Sequence, residues 1–254
     1  MVLSRRRHTF SHKQTLKFQK IDKRAAEGAY ERLTNRLQVR LIRAYDIWVR
    51  GTTRELQRAI HKGLPVSYLQ GIANSRVDEL LANLTPMITS GVVAAGTVGV
   101  GRVNARKPVV QGAIHKRIGR ETGYLHSSLG PDIKQQMKVA GTDVPAIKPA
   151  LDANRARVGS YAGAAWATIF ESQMALGKEQ ERENNESQRI RWVLDPMAVH
   201  CKPAGGRRGC LELAGEYDNW NALPVVPAGE VTCAGNCRCH LEIFIDGDWR
   251  RGGL

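Results

Sequence analysis

All five cysteines of this 254-residue chain lie at or beyond residue 201: Cys201, Cys210, Cys233, Cys237 and Cys239. Eight, 22, three and one residues separate them in turn, and His200 and His240 flank the first and the last. Two groups of cysteines joined by a loop match what tetrahedral zinc requires, about four soft ligands at a fixed short distance. The first 200 residues contain no cysteine. One small C-terminal piece is therefore expected to be held together differently from the rest.

Five is an odd number, so the cysteines cannot all pair within one chain. Met1 to Lys20 is basic and polar, with no apolar run of the kind that opens a secreted precursor. A reducing compartment is expected on that ground, where clustered cysteines more often bind metal or do redox work than form disulfides. Cys237-Arg238-Cys239 is a CxC rather than the CxxC of a thioredoxin-like site. Structural zinc is the first reading. Disulfides, free thiols and a catalytic or redox cysteine remain as alternatives. Four of the five would suffice, with His200 or His240 as possible substitutes, and spacing does not choose the spare. The favoured set is Cys201, Cys210, Cys233 and one of Cys237 or Cys239.

The net charge of +14 is unevenly placed. Residues 1–62 carry 16 Lys and Arg against five Asp and Glu, a net of +11. Residues 63–170 carry 12 against six, and residues 171–254 carry 10 against 13, a net of −3. A basic segment attracts phosphate backbones in a salt-dependent, sequence-independent way. Arg5, Arg6, Arg7, Lys13, Lys17, Lys20, Lys23 and Arg24 are the candidate contacts, to nucleic acid or to an acidic protein surface. The cysteine region is slightly acidic, which disfavours a zinc finger that reads DNA sequence.

Three parts are expected: a basic arm over residues 1–24, a helical domain over 25–187 and a cysteine-rich α+β module over 188–254. The fold class is mainly α, an elongated helical body with a small zinc-stapled module. Tyr30, Leu33, Leu37, Leu41, Tyr45 and Trp48 recur at three- and four-residue steps and predict an amphipathic helix, with Arg32, Arg36, Arg40 and Arg43 off the stripe. Gly51 is a candidate break, with Leu56 and Ile60 as candidates to continue the stripe beyond it. A second helix is expected from Ser67 to Leu84, and a restart at Thr85-Pro86, because proline is tolerated in a first turn. Leu80 to Gly101 holds no charged residue across 22 positions. Its polar residues and glycines favour a buried helix over a membrane segment, and Gly91, Ala95 and Gly99 form a small-residue stripe. Residues 104–150, broken by glycine and proline, predict short helices and an extended connection, with one helix over Asp132 to Ala140. A helical pattern returns over Ala150 to Glu186. Apolar and polar residues then alternate over residues 189–194, and 240–245 reads as a second short strand. The two strands bracket the cysteines. A unit so small has little core, and a metal supplies what burial cannot.

Asp195-Pro196-Met197-Ala198-Val199-His200-Cys201, Cys210-Leu211-Glu212-Leu213-Ala214-Gly215-Glu216-Tyr217, Leu223-Pro224 and Asn236-Cys237-Arg238-Cys239 resemble the C-terminal part of phage head morphogenesis proteins, the Mu F-like minor head proteins. The likeness spans about Ser160 to Ile245. It differs at the first cysteine pair, where Lys202 to Gly209 intervene, and at Cys233, which stands where many relatives carry a histidine. The resemblance implies a minor component of a tailed-phage head, located in the virion and in the host cytoplasm during assembly. The implied partners are the portal or the major capsid protein, with packaged DNA as a further contact.

No GxSxG or HExxH is present. His240-Leu241-Glu242 follows the last cysteine, whereas in zinc deaminases the His-x-Glu comes first. Glu212 and Glu242 read as surface carboxylates. A structural, non-enzymatic protein with no small-molecule substrate is expected. The rival readings are a zinc-containing nucleic-acid-binding regulator, and a virion protein ejected to act on a membrane through Leu80 to Gly101.

Overall fold

The computed structural model describes residues 23–233 and 237–251, leaving aside the side chains of 23–27 and 144. Arg5, Arg6, Arg7, Lys13, Lys17 and Lys20 lie outside the described residues, while Lys23 and Arg24 fall in the first turn of helix α1 (Lys23–His61). The chain is mainly helical. After α1 come α2 (Val66–Asn104), α3 (Pro108–Tyr124), one π-turn (Leu125–Leu129), α4 (Gly130–Ala140), α5 (Val144–Asp152), α6 (Arg155–Ser160) and α7 (Gly163–Asn184). Four short strands then form one antiparallel sheet: β1 (Ile190–Val193), β2 (Gly215–Tyr217), β3 (His240–Ile245) and β4 (Asp248–Arg251), with a single helical turn α8 (Cys210–Leu213) before β2.

The stripe on α1 faces inward. Tyr30, Leu37, Leu41, Tyr45 and Trp48 are buried, and Arg32, Arg36, Arg40 and Arg43 are exposed. α1 does not break at Gly51 but runs to His61. It is antiparallel to α2: Leu37 sits against Gly91, while the Trp48 indole N–H donates to the Arg76 carbonyl at 2.5 Å.

α2 corrects the expected restart at Thr85-Pro86, because it passes through Pro86 without ending. An internal proline forfeits one backbone hydrogen bond and crowds the preceding turn, at a cost of about 3 kcal/mol. Burial on both sides of it outweighs that. Leu80, Leu81, Leu84, Ile88 and Val92 are all buried, and a fully buried leucine or isoleucine contributes about 1.5–3 kcal/mol. By length and composition α2 would also cross a membrane. In this fold it is the central helix, packed against α1, α3, α4 and α7.

The small-residue stripe makes that centrality possible. A Cβ on Gly96 would lie 2.4 Å from Ile114 of α3, and one on Gly99 would lie 2.7 Å from the Ile169 carbonyl oxygen of α7. The buried Gln173 amide donates to the Gly99 carbonyl at 3.1 Å and to the Tyr30 hydroxyl at 3.3 Å, tying α7 to α2 and α1. Gly99→Ala is therefore expected to lower stability by about 1–3 kcal/mol, since backbone has to move. Gly71→Ala, at an exposed position of the same helix with open space around it, should raise stability by up to about 1 kcal/mol. Urea unfolding of the two variants checks the opposite signs.

Residues 104–150 are more ordered than their glycines predicted. The extended connection is absent, and α3 covers most of its place. Val110, Ile114 and Arg117 form its buried face, while Gly112, Gly119 and Gly123 lie on exposed positions. The helix over Asp132 to Ala140 is present as α4. The pattern over Ala150 to Glu186 divides into the end of α5, then α6 and α7.

Strands β1 and β3 fall within the expected residues 189–194 and 240–245; β2 and β4 were not foreseen. The sheet order is β2-β1-β3-β4. Val193 pairs with His240, so the chain leaves β1 and returns to β3 at one point, and the cysteines fill the loop between. α7 carries the sheet module. The Trp166 indole N–H donates to the Cys239 carbonyl at 3.1 Å, and Trp220 packs against α7 at Gly177.

Candidate metal centre

The five cysteines, spread over nearly 40 positions of sequence, converge on Cys210. Its sulfur lies 3.5 Å from Cys201 Sγ, 3.4 Å from Cys233 Sγ and 3.6 Å from Cys237 Sγ. Two trios share it: Cys201, Cys210 and Cys233, then Cys210, Cys237 and Cys239, with the sulfurs of each trio within 4.8 Å of one another. Cys210, Cys237 and Cys239 are buried, whereas Cys201 and Cys233 are partly covered.

Local structure explains the convergence. Cys210 opens α8, and the Gly209 N–H ahead of it donates to the Glu212 carboxylate at 3.1 Å. The free N–H at this helix start also serves the cluster, because Cys210 N–H donates to Cys201 Sγ at 3.2 Å. Cys239 is delivered by the start of β3 and anchored through its carbonyl to Trp166. Cys233 and Cys237 flank residues 234–236, which lie outside the described residues.

These separations test whether a metal fits. All five thiols are free, and the sulfurs stand well beyond the roughly 2.05 Å of a disulfide bond. Four thiolates at about 2.3 Å from a tetrahedral ion lie about 3.8 Å from one another, close to the contacts around Cys210. The donor set is all sulfur, the set that holds structural zinc and iron–sulfur clusters. The thiols also perturb one another as a crowded set must. Hydrogen bonds from Cys210 and Cys237 draw the Cys233 thiol down to about 5. Hydrogen bonds to Cys233, Cys237 and Cys239 push Cys210 far up. So many sulfurs cannot all ionise side by side unless a cation offsets their charge. The cluster can hold a metal ion.

The two histidines part company. His200 Nδ1 lies 3.9 Å from Cys239 Sγ, at the edge of the cluster. His240 instead turns to Glu242, with Nε2 at 3.5 Å from Oε1. Glu242 is therefore no surface carboxylate. It is 5 % exposed, on a central strand, and it accepts a charge-assisted bond from the Arg191 guanidinium. Hydrogen bonding to His240, then to Arg191, holds its carboxyl down at about 2. Its folded-state value lies below the ordinary one, so its contribution is present above about pH 4.5 and is lost as pH falls toward about 2. Glu212 is exposed, as expected.

Set against known protein families, curated proteins and solved structures, the chain matches none of the three.

Proposed function

We propose that this protein is a structural component whose C-terminal module is stapled by zinc, and that it serves as a minor head protein of a tailed phage. The observation that carries the zinc reading is that Cys201, Cys233 and Cys237 sulfurs stand 3.4–3.6 Å from Cys210, near the edge length of a tetrahedron, with Cys239 within 4.8 Å of it. An all-thiolate shell closes the coordination sphere, whereas catalytic zinc keeps a position open. That supports a structural metal and a non-enzymatic role. The virion reading is supported by the residue-level resemblance between Ser160 and Ile245. On this reading the helical body docks on the portal or the major capsid protein, and the cysteine module is a rigid head presented by α7. The basic arm, Arg5 to Arg24, contacts packaged DNA or an acidic partner surface.

Metal analysis of the purified full chain should give about one zinc per molecule. Absence of metal, with a mass shift showing joined cysteines, would overturn the zinc half. Co-expression with the phage portal and capsid proteins should bring the chain into purified particles at substoichiometric amounts. Its absence from them removes the virion half.

A further inference from the structure

We propose that the loop between Cys201 and Cys210 is a clamped arginine hairpin that grips the phosphate backbone of nucleic acid. The cysteine region is acidic as a whole, yet Lys202, Arg207 and Arg208 fall within residues 202–209, with no Asp or Glu among them. All three are exposed. Gly205 and Gly206 have φ of +58° and +72°, the left-handed pair of a tight two-residue turn. Ala204 and Arg207 pair across that turn through hydrogen bonds of 3.1 and 3.0 Å.

The backbone behind the arginines is fixed. Thr232 N–H donates to the Arg208 carbonyl at 3.0 Å, and the Thr232 hydroxyl lies 3.3 and 3.2 Å from the Arg207 and Arg208 carbonyls. Both ends of the loop are thiols of the cluster, so a bound metal would close it covalently at its base. Two neighbouring guanidiniums thus point outward from a rigid support. Among the described residues no carboxylate pairs with either.

Opposite the hairpin the facing side is mixed in charge: Arg120 pairs with Glu230 at 3.4 Å, Arg157 pairs with Asp132, and Glu121 and Glu230 share the lining. Arg120, Tyr124, Arg157 and Arg207 line one groove of about 220 Å³, which continues into another lined by Arg120, Tyr124, Arg207 and Arg208. Arg120 is held over the Tyr124 ring at 5.8 Å, and Tyr124 keeps 43 % of its surface exposed. Guanidinium forks match phosphate oxygens bidentately. An exposed tyrosine beside them offers a face for a base or sugar. The hairpin's two arginines, without a carboxylate partner among the described residues and beside an exposed aromatic ring, favour a nucleic acid over an acidic polypeptide, which has no use for the ring. The grip proposed is on the backbone, whose phosphates two guanidiniums match in any sequence. The inference leans on the zinc reading only for the closure of the loop's base.

The test is fluorescence anisotropy of a labelled mixed-sequence DNA duplex with the full chain across a salt series. Arg207→Ala/Arg208→Ala should weaken binding at every salt concentration and make the log K against log salt slope shallower by about 2. Arg207→Lys/Arg208→Lys should keep the slope. Metal content and thermal midpoint, measured on the same samples, should not change. Unchanged affinity and slope in the alanine pair overturns the proposal, as does a lysine pair that loses as much as the alanine pair. Loss of poly-glutamate binding with DNA binding intact assigns the face to an acidic protein and also overturns it. A chain that carries no metal yet shows the slope change refutes the zinc reading and leaves this one standing.

Discussion

If the cysteines hold zinc as proposed, its chelation should unfold the sheet module while the helices stay folded. The sheet between Ile190 and Arg251 is four short strands, and units of this size rarely support themselves without a staple. Structural zinc supplies folding free energy directly, because the site does not exist in the unfolded chain. Most of the buried core lies on the helices, α1, α2 and α7 among them, and it runs on into the sheet module at Ile190, Trp220 and Leu241. Far-ultraviolet helicity should therefore change little on adding chelator, while protease cuts appear between residues 188 and 251. Serine scanning should rank the cysteines. Losing even an outer-shell partner of a ligand costs about 10–100-fold in metal affinity, so losing a true ligand should cost more than about a hundredfold. Cys210 belongs to both trios, and Cys210→Ser should be the worst of the five. One substitution among the others should be nearly silent, because four ligands complete a tetrahedron. Five equal losses, or a proteolysis pattern indifferent to chelator, would mean that the sulfurs cluster without a staple.

How much of this was legible beforehand depends on which physical signal each element leaves. The α1 stripe was visible because one face is buried along its whole length, and only that gives a clean period. β1 was visible as a short alternation and β3 as a short apolar segment, one on either side of the cysteines. α2 was misread at Pro86, since a local rule about proline says nothing of the tertiary burial that overrides it at Leu80, Leu84 and Ile88. α3 was missed because its buried face is narrow and one of its three buried positions is Arg117. That residue is 3 % exposed and forms ion pairs with Glu121 and Glu171. A charged residue on an inward face breaks the apolar pattern that sequence reading depends on. Glu242 was misread for the same reason, as its burial is licensed by Arg191 and His240 from outside its own segment. The cysteines were legible as a group from spacing, but their convergence on Cys210 depends on Val193 pairing with His240, a register that no spacing reveals.

Trp220→Ala should be the most damaging single change outside the cysteines. Trp220 is 0 % exposed, and truncating a buried tryptophan costs about 3–5 kcal/mol. Its polar groups are engaged too. The backbone N–H donates to Glu181 at 3.1 Å, and the indole N–H donates to Gln188 at 2.9 Å. Glu181 also accepts from the Gln188 N–H at 2.9 Å, so one α7 carboxylate organises both the approach to β1 and the tryptophan. Trp220→Phe keeps most of the buried ring but leaves the Gln188 oxygen without its donor, and should cost about 1–3 kcal/mol. Urea unfolding checks both values, and a loss under about 1 kcal/mol for the alanine variant would mean that the module does not rest on α7 through this ring. The same variant links to the metal. If chelation already releases the sheet module, Trp220 has left its seat beside Gly177 before unfolding begins. Trp220→Ala should then cost several kcal/mol in the metal-loaded chain and almost nothing in the stripped one. Equal costs in both states would instead require the tryptophan to stay docked on α7 without the staple, making the helix, rather than the metal, the principal support of the C-terminal module.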